Sequence, residues 1–375
     1  MSNNDKNLFS DFSPVTAAEW KEQIIKDLRG KDYDESLVWK TDEGFDIKPY
    51  YTSEDLTPEA KAFQNTAFDA NEVLGARAWV NSPKINASDA KEANRKALLA
   101  LKSGADGVLF EVGDAVDLAV LLEGIELPYC AVSYSLSGNP VAFANALAAY
   151  VSEKGYDPAA VKGLLSYPVA NADVAGVFDA LASLPAFKAF VIKGAVDATL
   201  HGDLGDLLAQ TTALVDKLEG KDVKAVFDKI AFSVQVSNNY FGEIAKLRAL
   251  RTLVQQIAKF YGAEISPVEV TIQGSTTIII DEETKEDPYL NMLSNTSQAM
   301  SAVIGTCNYL TILPHNEGLE EVDDFADRIA RNISNMLREE SYFDKVADPA
   351  AGSYYIESLT AQLAEKAWEA FQAQL

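Results

Sequence analysis

The feature that most constrains the fold of this chain is an alternation of short apolar segments with longer helical ones, repeated eight times. The apolar segments are bounded by turn residues and are hydrophobic almost throughout, which is typical of strands buried on both faces of a sheet. They are Val73–Val80, Gly107–Val112, Tyr129–Tyr134, Gly163–Tyr167, Lys188–Gly194, Ile230–Val236, Val268–Ser275 and Asn308–His315. Alternation of this kind predicts a parallel sheet, and eight repeats is the number that closes into a barrel.

The segments between the strands have helical spacing, and several begin with a residue that caps helices. They are Ser88–Ser103, Asp114–Glu123, Pro140–Lys154, Ala172–Leu184, Asp203–Leu218, Asn239–Tyr261, Tyr289–Gly305 and Val322–Glu340. Ser88, Asp114 and Asp203 stand where start signals are expected. The alternative is an open doubly wound sheet, but no glycine-rich phosphate turn follows the first strand. We therefore predict an α/β fold, a (β/α)8 TIM barrel over residues 73–375.

Residues 1–72 precede the first predicted strand and form a separate N-terminal arm, part helical and part extended. Thr16 and Glu19 have the spacing of a capping box, which predicts a helix over Thr16–Leu28. Aromatic residues at sparse spacing follow this helix. The candidates for a subunit interface are Trp20, Trp39 and Tyr50. Packing of the arm on its own barrel is an equally favoured alternative.

The formal net charge of −24 disfavours any polyanionic partner, and no local basic face offsets it. Nucleic acid is therefore not an expected partner, and the charge is mildly adverse to an anionic CoA thioester. Cys130 and Cys307 are isolated in hydrophobic stretches, so neither a disulfide framework nor a metal site is predicted. No stretch reaches the roughly 18 apolar residues of a membrane span, and a cytoplasmic protein is expected.

The carboxyl ends of the predicted strands, where such barrels place their active sites, carry mainly amides and hydroxyls. The candidate ligand-binding residues are Gln235, Gln273, Ser275 and His315. His315 with Glu317 two residues later could supply a base and its orienting carboxylate, although a single histidine at a strand end is more often a hydrogen-bonded rim residue. No zinc pattern, phosphate loop or nucleophile elbow is present in the sequence.

Segments from both ends and the middle of the chain carry a specific resemblance to a known family. They are FSPV at 12–15, KDLRG at 26–30, LVWKT at 37–41, NYFGEIAKLRA at 239–249, DPYLN at 287–291, RIARN at 328–332 and DPAAGSYYIESLT at 348–360. On these segments the chain resembles methylmalonyl-CoA mutases along nearly its whole length.

The resemblance implies a barrel that binds a CoA ester along its axis, and a separate domain that binds cobalamin through an Asp-x-His-x-x-Gly motif. This motif is absent from the sequence. We therefore expect no cofactor on this chain and adenosylcobalamin on a partner subunit. A longer protein from which such a domain has been cut away is also an expectation of the resemblance.

Three segments depart from the pattern of the family's catalytic subunits. Where those subunits have Gly-Tyr-His after the fifth strand, this chain has Gly194 followed by Ala195 and Val196, which can neither donate a proton nor hydrogen-bond a thioester. The family's Tyr-Ala-Gly-Phe segment is replaced by the sequence VNSP at 80–83. Of its His-Cys-Gln-Thr-Ser-Gly segment, only Gln273 and Ser275 remain.

These losses predict that the chain has no catalytic residue. The resemblance then implies the small subunit of the family, a structural partner of the catalytic large subunit in a heterodimer. Two alternatives remain open. One is an active acyl-CoA mutase or isomerase that uses His315, Tyr134 or Gln235, and the other is a regulatory barrel that keeps affinity for CoA without turnover.

Overall fold

The computed structural model describes residues 13, 15–58, 78–113, 116–194 and 199–375. The strands in this part of the chain are β1 (Trp39–Lys40), β2 (Asp46–Ile47), β3 (Val80–Asn81), β4 (Lys84–Asn86), β5 (Gly107–Val112), β6 (Ala131–Leu136), β7 (Gly163–Ser166), β8 (Phe187–Lys188), β9 (Phe190–Lys193), β10 (Ile230–Val236), β11 (Thr271–Thr276) and β12 (Tyr309–Thr311). The α-helices are α1 (Ala17–Asp27), α2 (Tyr33–Leu37), α3 (Ala90–Lys102), α4 (Leu118–Leu121), α5 (Pro140–Lys154), α6 (Val174–Ala180), α7 (Leu200–Lys217), α8 (Val223–Asp228), α9 (Tyr240–Phe260), α10 (Glu282–Glu286), α11 (Leu290–Ile304), α12 (Asp324–Glu339) and α13 (Tyr354–Gln372).

Strands β3 to β12 form a closed parallel barrel in which two of the strand positions are interrupted. In the first position, β3 pairs with β12 and β4 pairs with β5; in the fifth, β8 pairs with β7 and β9 with β10. The first interruption falls at Ser82 and Pro83, between β3 and β4, and Pro83 has no N–H to donate towards β5. Ser82 N–H donates to Leu310 O (2.9 Å), whereas Pro83 O accepts from Leu109 N–H on the other side (2.9 Å). The predicted (β/α)8 barrel is confirmed.

The outer faces of the strands and the inner faces of the helices enclose the main core. Phe110, Phe187, Phe190 and Phe232 are each at most 1% exposed and belong to this core. Helix α13 lies across α7 and α9 and covers one flank of the barrel. The barrel thus has its own continuous hydrophobic core. Among the described residues, no helix is both long and apolar enough to cross a membrane.

The arm has the predicted capping box at the start of α1. Thr16 N–H donates to Glu19 Oε2 (2.9 Å), and Glu19 N–H donates to Thr16 Oγ1 (3.2 Å). The helix predicted over Thr16–Leu28 is confirmed as α1, yet none of its residues is buried. The predicted boundary between arm and barrel, at residues 72 and 73, lies outside the described residues and stays a prediction.

Several predicted boundaries are wrong. Two helices begin at a different capping residue from the one predicted, and one strand is shorter than predicted. The predicted Asp203 start is wrong: α7 begins at Leu200, since Thr199 Oγ1 accepts from Gly202 N–H (3.2 Å) and caps the helix. Likewise Asp89 rather than Ser88 caps α3. Strand β12 ends at Thr311, so His315 lies beyond the strand. Asp114 and residues 73–77 of the first predicted strand lie outside the described residues.

Candidate site at the carboxyl mouth of the barrel

Side chains alternate along each barrel strand, and those that point inward change in character from the amino to the carboxyl end. At the amino end they form a small apolar cluster that closes the axis. Its members are Ala131, Leu164, Val191, Ala231 and Tyr309, with the half-buried Val80 packed against them. Tyr309 is 8% exposed and is the largest of them. The axis is therefore not an open channel at this end.

The next layer along the axis is polar and buried. Gln273 Nε2 donates to Thr311 Oγ1 (3.0 Å), and Thr311 Oγ1 in turn donates to Ser82 O (3.0 Å). The hydroxyl groups of Ser82 and Ser166 are sealed from solvent, and neither has a hydrogen-bond partner among the described residues. Buried hydroxyls normally have partners, so these two leave hydrogen-bonding capacity directed at the centre of the barrel.

The third layer opens to solvent at the carboxyl mouth. Gln235 lies opposite Ser275 in the β10–β11 register, and Ser233 lies opposite Gln273. Along β10 the inward residues pass from buried Ala231 to exposed Gln235. The structure thus brings the predicted residues Gln235, Gln273 and Ser275 onto one inner wall. Their role as ligand-binding residues stays a prediction.

Three charged residues at the mouth, Lys84, Glu111 and Lys193, were not identified from the sequence. Lys84 forms ion pairs with Glu317 and with Glu111 (3.6 Å). Burial lowers the pKa of Lys84, but Glu317 and Glu111 together raise it above its usual value. Partial burial lowers the pKa of the Lys193 ammonium, and Glu111 opposes this shift. Inward alternation from the strand register was the signal that would have found these residues, but it requires exact strand boundaries.

His315 is buried rather than presented to the mouth. Its ring stacks on Tyr289 with centroids 4.9 Å apart, and it meets Phe325 edge-on at 6.3 Å. Its Nδ1 atom is sealed from solvent and has no hydrogen-bond partner in the described ranges. Burial lowers the pKa of His315, against the nearby charges of Asp323 and Glu320. The proposed orienter Glu317 pairs with Lys84 instead, so the predicted base and orienter are not hydrogen-bonded to each other.

The corner at the end of the fifth strand holds a packed ion network. Ala195 and Val196, which stand where catalytic subunits have Tyr-His, lie outside the described residues. At this corner, Lys246 Nζ donates to Asp203 Oδ2 (3.2 Å) and to Gln235 O (3.0 Å), and it lies 2.8 Å from Glu243 Oε2. Burial lowers the pKa of Lys246, but the two carboxylates outweigh burial and raise it.

Gly194 is required by this network, because a Cβ atom at this position would lie 2.1 Å from Asp203 Oδ1. The network leaves the corner with paired charges and tight packing.

The arm reaches the same corner through Glu43, which is 8% exposed. Its carboxylate accepts from the N–H groups of Leu200 (2.9 Å) and His201 (3.0 Å), and lies 2.7 Å from His201 Nδ1. A carboxylate at the first turn of α7 also interacts favourably with the helix dipole. Sequence patterns carry no signal for such a contact between distant segments.

The three predicted interface residues have different surroundings. Trp20 packs on Tyr50 with ring centroids 3.6 Å apart, and Tyr50 Oη donates to Ala17 O (2.7 Å). Both rings therefore hold the arm together. Trp39 is 57% exposed. Further along the arm, Tyr51 packs on Tyr355 of α13 at 5.1 Å, so this part of the arm does lie on its own barrel.

Residues 183–374 match the profile of the methylmalonyl-CoA mutase family. The chain is 34% identical to the methylmalonyl-CoA mutase small subunit of Porphyromonas gingivalis over 99% of its own length and 64% of that protein. It is 30% identical to the small subunit of Propionibacterium freudenreichii subsp. shermanii, over 98% of this chain and 63% of the relative. The large subunit from Porphyromonas gingivalis is 28% identical over 88% of this chain and 54% of its own length. The chain thus spans less than two thirds of the length of these relatives, and it belongs to the methylmalonyl-CoA mutase family.

Proposed function

We propose that this chain is the non-catalytic small subunit of a cobalamin-dependent methylmalonyl-CoA mutase. In this proposal it forms a heterodimer with a catalytic large subunit, and the heterodimer interconverts methylmalonyl-CoA and succinyl-CoA in the cytoplasm. Relatives named as small subunits match nearly the whole chain, and one of their source organisms also has a large subunit of the same family.

The observation that carries the proposal is the closed amino end of the barrel axis. If catalytic members hold the CoA ester along this axis, the packed layer that includes Tyr309 and Leu164 occupies part of its path. The ion network around Lys246 likewise stabilises the corner of the fifth strand without offering a group to a substrate.

Cobalamin is assigned to the partner because the chain's two histidines do not fit the role of a cobalt ligand. His201 is bound to Glu43 at the start of α7, and His315 is packed against Tyr289 and Phe325. Both rings are thus held by contacts within this chain.

The part of the arm proposed to contact the large subunit is α1 together with Trp39. Apolar residues on this part are exposed, including Val15 (70%), Ile25 (47%) and Trp39 (57%). Large aromatic residues contribute a disproportionate share of binding energy when a partner desolvates them. The arm is also fixed at its base by Glu43 and Tyr51, which reduces the entropy lost on association.

The test is an assay of methylmalonyl-CoA turnover with added adenosylcobalamin. Three samples are compared: this chain alone, the large subunit alone, and the two mixed. We expect no turnover by this chain alone, and a stable 1:1 complex with turnover in the mixture. Turnover by this chain alone, or a large subunit that neither binds the chain nor changes in its presence, contradicts the proposal.

A second candidate is a regulatory barrel that binds a CoA thioester without converting it. The hydroxyls of Ser82 and Ser166 favour it, because they are buried without a hydrogen-bond partner among the described residues, so a polar group of a ligand that entered the axis would supply the missing partner. Calorimetric titration with CoA and with pantetheine tests this candidate. Saturable binding that weakens in a Ser82→Ala, Ser166→Ala double variant supports it, and absence of binding at millimolar ligand excludes it.

A further inference from the structure

A cavity lies on the outside of the barrel, in the groove between α3 and α12. Its volume is about 420 Å³, which is within the range of small-molecule sites. Five of its lining residues are apolar: Pro83, Ile85, Leu99, Ala100 and Phe325. Leu99 and Phe325 are 45% and 41% exposed, so apolar surface borders the opening. The cavity lies outside the barrel and apart from the arm, and Lys84 lies between it and the barrel mouth.

The same cavity is lined by more cations than acids, on a chain whose net charge is −24. The cations are Lys84, Lys96, Arg328 and Arg331, and the acids are Asp324 and Asp327. Each acid already has a cation nearby: Asp327 lies 3.3 Å from Lys96, and Asp324 lies 3.9 Å from Arg95. Lys84 is paired with Glu317. The charge left over belongs to the two arginines.

Arg331 is the unusual member of this pair. It is 9% exposed, yet its side chain makes no hydrogen bond or ion pair with any described residue, and its Nε atom is sealed from solvent without an acceptor. Burial lowers its pKa, with Asp327 opposing that shift and Arg328 adding to it. A largely buried guanidinium without an acidic partner is unfavourable, and its Nη1 and Nη2 atoms, unlike Nε, are not sealed from solvent.

The other buried arginines show what is normal in this protein. Arg251, 1% exposed, donates to Thr306 Oγ1 (3.1 Å), Pro267 O (3.1 Å) and Asn308 Oδ1 (2.9 Å). Arg248, whose Nε atom is also sealed without an acceptor, is paired with Asp348 and Glu357. By contrast, Arg331 lines a ligand-sized cavity, and the partner that its charge requires is an anion.

We propose that the groove between α3 and α12 binds a small organic anion, with a carboxylate or phosphate headgroup on an apolar tail. Arg331 and Arg328 hold the headgroup, since a planar guanidinium fork suits either oxyanion. The apolar tail lies on Leu99 and Ile85, under the ring of Phe325. Arg328 already lies over that ring, 5.4 Å from its centroid, which keeps the cation at the edge of the cavity. The site does not depend on the proposed subunit role.

The first experiment locates the ligand with probes that differ in headgroup. Crystals of the full chain are soaked with 4-iodobenzoate, and titration calorimetry in solution compares 4-iodobenzoate, phenyl phosphate and the neutral 4-iodobenzyl alcohol. We expect anomalous iodine density in the groove beside Arg331, binding of at least one anion, and no binding of the alcohol. The tighter of the two anions identifies the headgroup. Iodine density elsewhere only, or equal binding of the neutral probe, overturns the proposal.

The second experiment removes the charge. Arg331→Met keeps an unbranched apolar stem, so we expect anion affinity to fall about tenfold or more while thermal stability is unchanged or higher. Lys259→Met removes one charge from the exposed end of α9 and should leave affinity unchanged. If Arg331→Met does not fold, Arg328→Met at the exposed edge of the cavity is the test variant. We expect its anion affinity to fall about threefold or more. Wild-type affinity in the folded arginine variants overturns the proposal.

Discussion

Helices α7, α9 and α13 bury most of their apolar residues against the barrel and against one another, whereas α1 of the arm buries none. Both regions are well-formed helices with side-chain caps. The difference is that the barrel supplies its own core, while the arm keeps Ile25 and Trp39 exposed. Local sequence signals therefore predict a helix in either region. Only tertiary packing shows which helices bury their apolar face within this chain and which one leaves it exposed.

The largest effect is expected where the barrel core is truncated. Phe232→Ala removes a ring that is 1% exposed, so we expect the free energy of unfolding to fall by about 3–5 kcal/mol. Urea titration followed by circular dichroism measures it. Phe260→Ala removes an 84% exposed ring from the end of α9 and should change stability by less than about 0.5 kcal/mol. Similar losses in the two variants would contradict the assignment of the core.

In the arm, we expect a substitution to weaken binding to the large subunit rather than to lower the free energy of unfolding. Trp39→Ala should weaken the complex with the large subunit by about 2 kcal/mol and leave the unfolding of the chain alone unchanged. Tyr129→Ala, at an 89% exposed ring on the barrel, is the matched control and should bind as wild type. Loss of stability without loss of binding would mean that Trp39 packs on its own chain.

A smaller effect is expected at the junction of the two regions. Glu43→Gln removes the charge that meets the first turn of α7, and we expect a loss of about 1 kcal/mol. Hydrogen exchange should become faster at the amides of Leu200 and His201, which donate to Glu43, and stay unchanged in β10. Equal exchange in the variant would show that the arm is fixed by other contacts.

The smallest expected effect is a change in how the stability of the barrel depends on pH when His315 is replaced. Burial lowers its pKa in the folded state, so the unfolded chain binds a proton more readily, from about pH 6.5 downward. The stabilising contribution of the neutral ring is complete above that pH and is lost as the pH falls towards the lowered pKa. Compared with wild type, His315→Leu should lose less stability between pH 7.5 and pH 5.5, as measured by urea midpoints. An identical decrease in both proteins would contradict the burial of this ring.

The sequence predicted the barrel because strand and helix periods are local properties. The bounds of β5, β10 and α5 agree with the prediction to the residue. The start of α7 at Thr199 carried a local cap signal, which the prediction passed over in favour of Asp203, whereas the contact of Glu43 with this turn could not be foreseen because Glu43 lies in a distant segment. At the candidate site, Gln235, Gln273 and Ser275 do share one wall. The unpaired state of Arg331 was not predictable, because it depends on which neighbours are absent in space.

The interrupted strands also bear on the order in which the barrel is assembled during synthesis. One sheet, β4 to β8, is a continuous stretch of chain, and β9 to β12 is the next. The first sheet is complete before the ribosome has made the second, and domains fold in that direction. Only β3 must wait, since Val80 pairs with Tyr309 and Asn81 pairs with Leu310 near the far end. That late pairing, in which Val80 N–H donates to Asn308 O and Ser82 N–H donates to Leu310 O, closes the ring, and its opening would leave the pairing within β4–β8 and within β9–β12 intact.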